Sequence, residues 1–201
     1  MGKIIVSENV TLDGVVQDPT GEEGSKHGGW FTQVSDQDHE EWAKVALEEA
    51  LSTEAMLLGR RSYEYLAARW PSRSGPLADR LNTKSKYVVS STLQDPAWTN
   101  STVLRGDPVT EAARLKQHLP GDIIVAASIQ LVRTLIAHDL VDELRLMIYP
   151  FILGSGDRLL PDTNTDTDTT DKLPLRLTAN RTVGHNLTYL TYQLIRDGRA
   201  I

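Results

Sequence analysis

The stretch from residue 121 to residue 161 constrains the fold of this chain more than any other. It opens with Ile123-Ile124-Val125, an apolar run too short for a helix and typical of a strand buried on both faces. Apolar residues then recur at helical spacing over 129–136. Further on, three apolar residues alternate with their neighbours at the period of a half-buried strand: Leu144, Leu146 and Ile148. The stretch therefore predicts a strand, a helix and a second strand.

The turn between that first strand and the helix consists of Ala126-Ala127-Ser128. Small side chains let a ligand approach the backbone, and the first N–H groups of a helix favour an anion. Ser128 is a natural cap for the helix. A phosphate is the obvious ligand, although many α/β proteins have small residues at such turns for packing alone.

Composition limits the classes of function. The chain has 201 residues, no cysteine and a formal charge of −6, and it carries no long basic run. Disulfides and thiolate chemistry are thereby excluded, and binding to nucleic acid is disfavoured. The first ten residues turn polar too soon for a signal peptide, and no apolar run approaches the length of a membrane span. We expect a cytoplasmic protein that binds neither nucleic acid nor membrane.

Two other predicted strands end in turns that suit a phosphate. The apolar run 55–58 is followed by Gly59-Arg60-Arg61-Ser62, which we interpret as a tight turn before a helix that begins at Tyr63. Guanidinium and hydroxyl groups are good phosphate ligands, although both arginines could simply lie on a solvated helix face. The run 86–89 is followed directly by Ser90-Ser91-Thr92. Together the three strand ends suggest a nucleotide with more than one phosphate group, although no G-x-G-x-x-G motif is present.

The remaining pattern predicts an α/β domain. A central first strand over 3–7, helices over 36–52 and 108–118, and a short strand over 102–104 precede or separate the segments above. The chain finishes in a hairpin of strands 175–182 and 187–195. We therefore predict a three-layer fold with a mixed, mostly parallel sheet and a C-terminal antiparallel hairpin, formed as a single domain over residues 1–201.

The segment 162–172 has no apolar residue. Asp162, Asn164 and Asp166 have the spacing that begins a calcium loop. The glycine and the bidentate acid that such a loop requires are replaced by Thr167 and Leu173. We interpret the segment as a solvated loop and predict no metal site.

Five segments, in this order and spacing, resemble one known family: VSENVTLDGVV, LLGRRSYEYLAARWP, KYVVSSTL, IIVAASIQLVRTLI and LVDELRLMIYPFILGSGDRLLP. The chain is similar over nearly its whole length to the dihydrofolate reductase-like family, which includes the C-terminal reductase domain of the bifunctional riboflavin biosynthesis deaminase/reductase. The resemblance implies an eight-stranded, mostly parallel sheet, NADPH as the reductant and a homodimer. An apolar edge along 144–153 would be a reasonable dimer interface.

The same resemblance assigns cofactor contacts by position. The turn at Gly59, Arg60, Arg61 and Ser62 would meet the cofactor phosphates. Ser90, Ser91 and Thr92 would hold the region of the adenosine 2′-phosphate, and the pyrophosphate would be lined by Ala126, Ala127, Ser128, Gln130 and Leu131. The first strand and the turn after it would lie beside the nicotinamide, through Asp13, Gly14 and Val16.

The chain departs from its relatives at Ala126-Ala127, where glycines are common. A Cβ there would crowd a pyrophosphate, at a cost of about 1 kcal/mol by analogy with other single-methyl effects. Three hypotheses follow. The first is an NADPH-dependent reductase acting on a C=N or C=O bond of a small heterocycle, pterin- or pyrimidine-like. The second is a non-catalytic member that binds another ligand or a partner, and the third is a stand-alone reductase of riboflavin synthesis.

The substrate side leaves alternatives open, and no catalytic residue is identified. An acid on the first helix could engage a pterin-like ring, but each candidate could equally favour the helix dipole: Asp36, Asp38, Glu40 and Glu41. His39 could serve as an acid or be a solvated side chain. The aromatic side chains at 30, 31 and 42 could form a wall for a flat ring or belong to the core.

Overall fold

A computed structural model describes residues 2–160 and 173–196. Eight strands form one mixed sheet: β1 (Ile4–Thr11), β2 (Ala55–Gly59), β3 (Ser85–Val89), β4 (Ser101–Leu104), β5 (Ile123–Ala126), β6 (Glu143–Tyr149), β7 (Leu175–Val183) and β8 (Leu187–Leu194). Their order is β4-β3-β2-β5-β1-β6-β8-β7. The predicted fold, a mostly parallel eight-stranded sheet with an antiparallel end and helices, is confirmed.

Within the described residues, five helices accompany the sheet: α1 (Asp36–Ser52), α2 (Arg60–Ala67), α3 (Pro76–Thr83), α4 (Pro108–His118) and α5 (Ile129–Ala137). Short 3-10 turns occupy Trp30–Gln33 and Trp70–Ser72. The bounds predicted for α1 and α4 are confirmed. The spacing of apolar residues over 36–52 predicts an inner helix face that includes Leu51. This prediction is wrong, because the Leu51 side chain is 63% exposed in the last turn of α1, beyond the buried Ala50.

The chain divides into two compact units, and the prediction of a single domain stays a prediction. The first unit contains the described residues up to Val6 together with Ala43–Asp142. Within it β2 runs parallel to β3 and to β5, and β3 runs parallel to β4. Because parallel strands end at one edge of a sheet, the carboxyl ends of β2, β3 and β5 lie at the same edge. The apolar runs of β2 and β5 are buried, as their sequences predict.

The second unit contains Ser7–Trp42 and the described residues from Glu143 onward. Here β6 pairs antiparallel with β8, and β8 pairs antiparallel with β7. The predicted alternation along β6 is only partly right, because Met147 is buried while Leu146 and Ile148 are half-buried. β6 is an interior strand, with β1 and β8 as its neighbours in the sheet order, so it is not an edge of the sheet. The dimer interface predicted along 144–153 stays a prediction.

We searched the described residues for membrane-spanning helices and for metal-binding groups of side chains. No helix among them is long and apolar enough to cross a membrane. No three of their His, Asp or Glu side chains are grouped so as to hold a metal ion. The interpretation of 162–172 as a solvated loop rather than a calcium site falls largely outside the described part of the chain.

Candidate functional site

The end of β2 leads directly into a helix. Arg60, Arg61 and Ser62 form the first turn of α2, so the predicted tight turn before a helix starting at Tyr63 is wrong. Gly59 is the residue before the helix, and no side chain caps the helix start. The first backbone N–H groups of a helix have no partner within it. The end of β2 therefore presents helix donors and two cationic side chains at one place.

Ser128 has a different role from the predicted cap. It lies at the start of α5, but its hydroxyl makes no capping hydrogen bond. The Oγ atom accepts a hydrogen bond from the Gly59 N–H at 3.0 Å and donates one to the Ala126 carbonyl at 3.0 Å. Ser128 thus ties the end of β2 to the end of β5, and the start of α5 keeps its own donors.

A second hydroxyl group, that of Ser62, also joins the segment after β2 to the segment after β5. Ser62 Oγ, in the first turn of α2, donates to the carbonyl of Ala127. Ala127 itself has a φ of 53°, in the left-handed region that an alanine enters only at a cost of about 1 kcal/mol. A glycine would adopt this conformation without strain. The backbone at this position thus favours glycine, the residue that the family resemblance leads us to expect there.

An arginine of α2, the helix that follows β2, joins the end of β2 to the end of β3. Ser90, at the end of β3, accepts hydrogen bonds at its Oγ from the N–H groups of Thr92 and Leu93, at 3.2 and 3.0 Å. Arg60 reaches across from α2 and donates to Thr92 Oγ1 at 2.6 Å. The three strand ends predicted from sequence are therefore connected by hydrogen bonds at one edge of the first unit. This edge is the candidate phosphate site.

The charge at this edge is positive. Arg60 forms an ion pair with Glu64 at 2.7 Å, whereas Arg61 is exposed and has no ion pair within residues 2–160 and 173–196. Arg105, which we did not predict from the sequence, follows β4 and donates to the segment after Ser90. No pattern in the sequence indicates this role, because it depends on β4 lying beside β3 in the sheet. Uncapped helix starts, hydroxyls and guanidinium groups are the donors that a phosphorylated cofactor needs.

Gln130 and Leu131 occupy the first turn of α5, beside Ser128. The Gln130 side chain is exposed and available to a ligand. The Leu131 side chain is 7% exposed and belongs to the inner face of the helix. Of these two predicted contacts, therefore, Leu131 could reach a cofactor only through its backbone N–H group.

Asp13, Gly14 and Val16 lie in the second unit, so their predicted contact with a nicotinamide stays a prediction. The Asp13 carboxylate accepts hydrogen bonds from the N–H groups of Leu153 and Gly154, at 3.3 and 2.8 Å. A hydrogen bond from the Thr11 hydroxyl, together with these backbone donors, lowers the pKa of Asp13. The carboxylate holds the LDG turn against the LGSG segment, two motifs that carry the family resemblance.

Gly14 and Val16 belong to the same loop as Asp13. Gly14 has a φ of 81° and open space where a Cβ would lie. Val16 is buried, and its N–H donates to the Asp157 carbonyl at 2.8 Å. The loop that carries all three predicted contacts is therefore built by backbone pairing with the segment around 153–158.

Among the four acids considered for a substrate, Asp38 has a structural role. Its carboxylate is fully buried and accepts hydrogen bonds from Ser35 and from the turn between β7 and β8, at His185 and Asn186. These bonds hold the pKa of Asp38 far below its usual range despite the opposing effect of burial. Asp36 and Glu40 are exposed. Asp38 is thus engaged by the protein and unavailable to a ligand.

The aromatic residues of the second unit divide between core and surface. Trp30 is buried, packs edge-on against Tyr149 with ring centroids 5.1 Å apart, and belongs to the core. Phe31 and Trp42 are half-buried and pack edge to face at 5.0 Å. His39 is also half-buried, and its Nε2 lies 2.9 Å from the Phe31 carbonyl oxygen. Of the three aromatic side chains considered as a wall for a flat ring, those of Phe31 and Trp42 keep exposed surface and that of Trp30 does not.

Comparison with known proteins gives the class. The model of the RibD C-terminal domain family matches residues 2–189, so the chain belongs to this family. It is a reductase family whose members generally use NADPH, and the chain is accordingly of the reductase type. Among curated proteins, the uncharacterized protein YyaP of Bacillus subtilis (strain 168) is 25% identical over 195 residues, which are 94% of each chain.

Solved structures share the fold. A protein of Shewanella sp. PV-4 provisionally named for riboflavin biosynthesis aligns with a TM-score of 0.71 and 20% identity, over 98% of this chain and 100% of its own. A pyrimidine reductase-like protein of Corynebacterium diphtheriae aligns with a TM-score of 0.64 and 14% identity, over 98% and 93%. RibD of Acinetobacter baumannii aligns with a TM-score of 0.59 and 15% identity, over 97% of this chain and 58% of the RibD chain.

Proposed function

We propose that this protein is an NADPH-dependent reductase that acts on a C=N or C=O bond of a small heterocycle, pterin- or pyrimidine-like. The observation that carries the proposal is the joining of three strand ends at one edge of the first unit. Ser62, Ser128 and Arg60 each make one of the connecting hydrogen bonds. The edge combines two uncapped helix starts with arginines, which suits an extended ligand with several phosphate groups.

Particular residues would hold the cofactor at this edge. The first N–H groups of α5 and the Ala126-Ala127 backbone would face the pyrophosphate, and the first turn of α2 would add the charges of Arg60 and Arg61. Bound NADPH would supply the hydride, and the protein would bind and orient the two reactants. Because Ser128 fixes the end of β2 to that of β5, these donors are already in place before the ligand binds. Such preorganisation lowers the entropy cost of binding.

Titration with NADPH tests the proposal. We expect calorimetry to show binding to the wild-type protein, and the Arg60→Ala variant to bind about tenfold more weakly, because it loses a cation worth about 1.4 kcal/mol. The matched control is Arg114→Ala. Arg114 is also exposed on a helix and paired with a carboxylate, that of Glu111, and its loss should leave NADPH affinity unchanged.

Two results would contradict the reductase proposal. One is the absence of NADPH binding at high cofactor concentration, which would favour the non-catalytic alternative. The strained left-handed Ala127 at the pyrophosphate turn is the observation behind that alternative. The other is binding without loss of nicotinamide absorbance on any pterin, pyrimidine or ribosylamino-pyrimidine. Turnover of the last compound alone would identify a riboflavin pathway reductase.

The Ala127→Gly variant should bind NADPH about fivefold more tightly, a gain of about 1 kcal/mol from removing one methyl group at the turn. Relief of the left-handed strain is offset by the greater freedom of glycine in the unfolded chain, so the free energy of unfolding should change little. Calorimetric titration and urea unfolding measure the two effects. Ala113→Gly is the control: this residue lies in the middle of α4, outside the candidate site, so glycine there should destabilise the helix and leave NADPH affinity unchanged.

Two further parts of the proposal concern the protein's setting. We propose a cytoplasmic location, which suits a chain of 201 residues without cysteine. We also propose a homodimer. Leu12 and Ile152 are 64% and 74% exposed, and they lie on segments joined by the hydrogen bond from the Leu12 N–H to the Phe151 carbonyl. A pair of exposed aliphatic side chains on one surface suits contact with a second copy.

A further inference from the structure

The last residue of β6, Tyr149, is fully buried, and its hydroxyl group has no hydrogen-bond partner among the described residues. A buried hydroxyl without a partner destabilises the folded state, so a native protein that keeps one calls for an explanation. Tyr63, which is buried in the first unit, shows the ordinary arrangement: its hydroxyl accepts a hydrogen bond from the Trp98 N–H at 2.9 Å. The Tyr149 hydroxyl, by contrast, has its hydrogen-bonding capacity left for a ligand.

The charge of Asp38 acts on Tyr149, yet the Asp38 carboxylate does not satisfy this hydroxyl. It accepts hydrogen bonds from the N–H and hydroxyl of Ser35, at 3.2 and 2.7 Å. It also accepts from the His185 N–H at 2.6 Å and from the N–H and Nδ2 of Asn186, at 3.0 and 2.9 Å. A carboxylate has only about four lone-pair sites. Asp38 is therefore already saturated with donors.

The environment of Tyr149 also decides what its hydroxyl can do chemically. Burial, together with the charge of Asp38, raises the pKa of Tyr149 far above its usual range. The phenol therefore keeps its proton at neutral pH and can donate a hydrogen bond. It is too weak an acid to supply the proton that completes a reduction. Its role in a reductase is thus to bind and orient the substrate.

Two aromatic rings pack against the Tyr149 ring. Trp30 is 1% exposed and lies 5.1 Å away between ring centroids, whereas Phe31 is half-buried and lies at 5.6 Å. Of these two rings only Phe31 has exposed surface, so rotation of its side chain is the route by which a ligand reaches the hydroxyl. Phe31 also packs edge to face against the half-buried Trp42. These two rings offer the apolar surface that a flat heterocycle needs.

Tyr149 is linked to the loop that the family resemblance assigns to the nicotinamide. The Phe151 N–H donates to the Tyr149 carbonyl at 2.8 Å, and the Leu12 N–H donates to the Phe151 carbonyl at 2.9 Å. Leu12 directly precedes Asp13 and Gly14, and all of these residues belong to the second unit. Ligands of α/β folds bind at the carboxyl ends of strands, and Tyr149 is such an end. A ring bound at Tyr149 would lie beside that loop.

We propose that Tyr149 donates a hydrogen bond to a ring carbonyl of the substrate, the 4-oxo group of a pterin or pyrimidine, and thereby selects oxo-heterocycles and orients them for hydride transfer. The inference rests on the proposed function and names the substrate group that the protein recognises. A ring carbonyl accepts such a bond, whereas an amino group at the same position is a donor. The unpartnered hydroxyl lowers stability in the free protein, and substrate binding removes that cost.

The test compares wild type with Tyr149→Phe and the control Tyr63→Phe, by urea unfolding and by calorimetric titration in the presence of NADPH. The ligands are two matched pairs: pterin with 2,4-diaminopteridine, and isocytosine with 2,4-diaminopyrimidine. Wild type should bind the oxo member of at least one pair. For that pair, Tyr149→Phe should bind the oxo compound about tenfold more weakly and the diamino compound within about twofold of wild type.

The two variants should differ in stability as well. Tyr149→Phe removes a hydroxyl without a partner, so its urea midpoint should lie above that of wild type. Tyr63→Phe leaves the Trp98 N–H without its acceptor, so its midpoint should fall while its affinity for every ligand stays as in wild type. A merely structural tyrosine at position 149 would not raise stability and weaken binding of the oxo compound together.

The outcomes separate this inference from the proposed function. Wild type that does not bind NADPH overturns the proposed function, and with it the inference. Binding of NADPH without either oxo compound refutes the inference alone, and so does a Tyr149→Phe variant that binds the oxo compound as tightly as wild type. A matched loss for the oxo and diamino compounds refutes it as well, since it would indicate general damage. A urea midpoint that falls in Tyr149→Phe, as in Tyr63→Phe, would show that the hydroxyl is satisfied inside the folded protein and would also refute it.

Discussion

Asp38→Ala should lower the free energy of unfolding by about 3 kcal/mol, because it leaves several buried donors without an acceptor. The carboxylate accepts from Ser35 Oγ at 2.7 Å, from the His185 N–H at 2.6 Å, and from the N–H and Nδ2 of Asn186 at 3.0 and 2.9 Å. It joins the start of α1 to the turn between β7 and β8. Urea unfolding of wild type and variant measures the loss.

The Asp38 effect should also depend on pH. Hydrogen bonds hold the folded-state pKa of Asp38 far below the ordinary value of 3.8. A carboxylate with a lowered folded pKa stabilises the protein above its unfolded pKa, and the stabilisation is lost as pH falls through the folded value. The gap between wild type and Asp38→Ala should therefore be full at pH 7 and shrink below about pH 4.

Asp36→Ala is the matched control. Asp36 is exposed and lies two residues earlier in the same helix turn, so its loss should cost only the few tenths of a kcal/mol of a surface charge near a helix dipole. Equal losses in the two variants would show that helix electrostatics alone explain Asp38. A loss in Asp38→Ala below about 1 kcal/mol would contradict the structural role.

The sequence indicates only the local part of the hydrogen-bond network around Asp38. Ser35 and Asp38 have the spacing of a capping box, and the Asp38 N–H does donate to Ser35 Oγ at 3.2 Å. The other half depends on residues about 147 positions later, and on Gly184, whose φ of 61° and missing Cβ let the turn approach the carboxylate. Local patterns predict caps, whereas partners so distant in the chain follow only from the fold.

The candidate site, too, could be predicted from the sequence only where local patterns decide the structure. Period and composition predict β2, β5 and α1 well, because burial of one face sets the spacing of apolar residues along each element. They also indicate that three strand ends share an edge. They assign Ser128 to a cap because serine favours that position, while its actual partner, Gly59, is 69 residues away. Arg105 has no local pattern at all, since its role depends on β4 lying beside β3.

Two buried lysines should make the protein more stable at pH 9 than at pH 7, by about 3 to 4 kcal/mol. Lys84 and Lys86 are 1% and 0% exposed, and their ammonium groups meet neutral oxygens: Lys84 Nζ donates to the carbonyl and hydroxyl of Thr53. Burial, together with the charges of Arg80 and Lys86, lowers the pKa of Lys84 to about 7, and burial lowers that of Lys86 to about 8.

The sign follows from proton binding. Both folded-state pKa values lie below the unfolded value of 10.5, so between pH 7 and pH 9 the unfolded chain holds more protons than the folded one. Stability therefore rises with pH in this window, and the cost of burying the charges is removed as they deprotonate. Urea unfolding at several pH values between 7 and 9 measures the slope.

The Lys84→Met variant separates the pH dependence caused by Lys84 from that caused by the growing negative charge of the whole protein between pH 7 and pH 9. Methionine has a similar length and cannot titrate, so the variant should lose the larger part of the pH dependence. Lys26→Met, at an exposed loop position, removes a lysine without removing a buried charge and should keep the wild-type slope. If wild type and Lys84→Met rise equally from pH 7 to pH 9, Lys84 is charged throughout. The Thr53 oxygens would then suffice to stabilise a buried ammonium group.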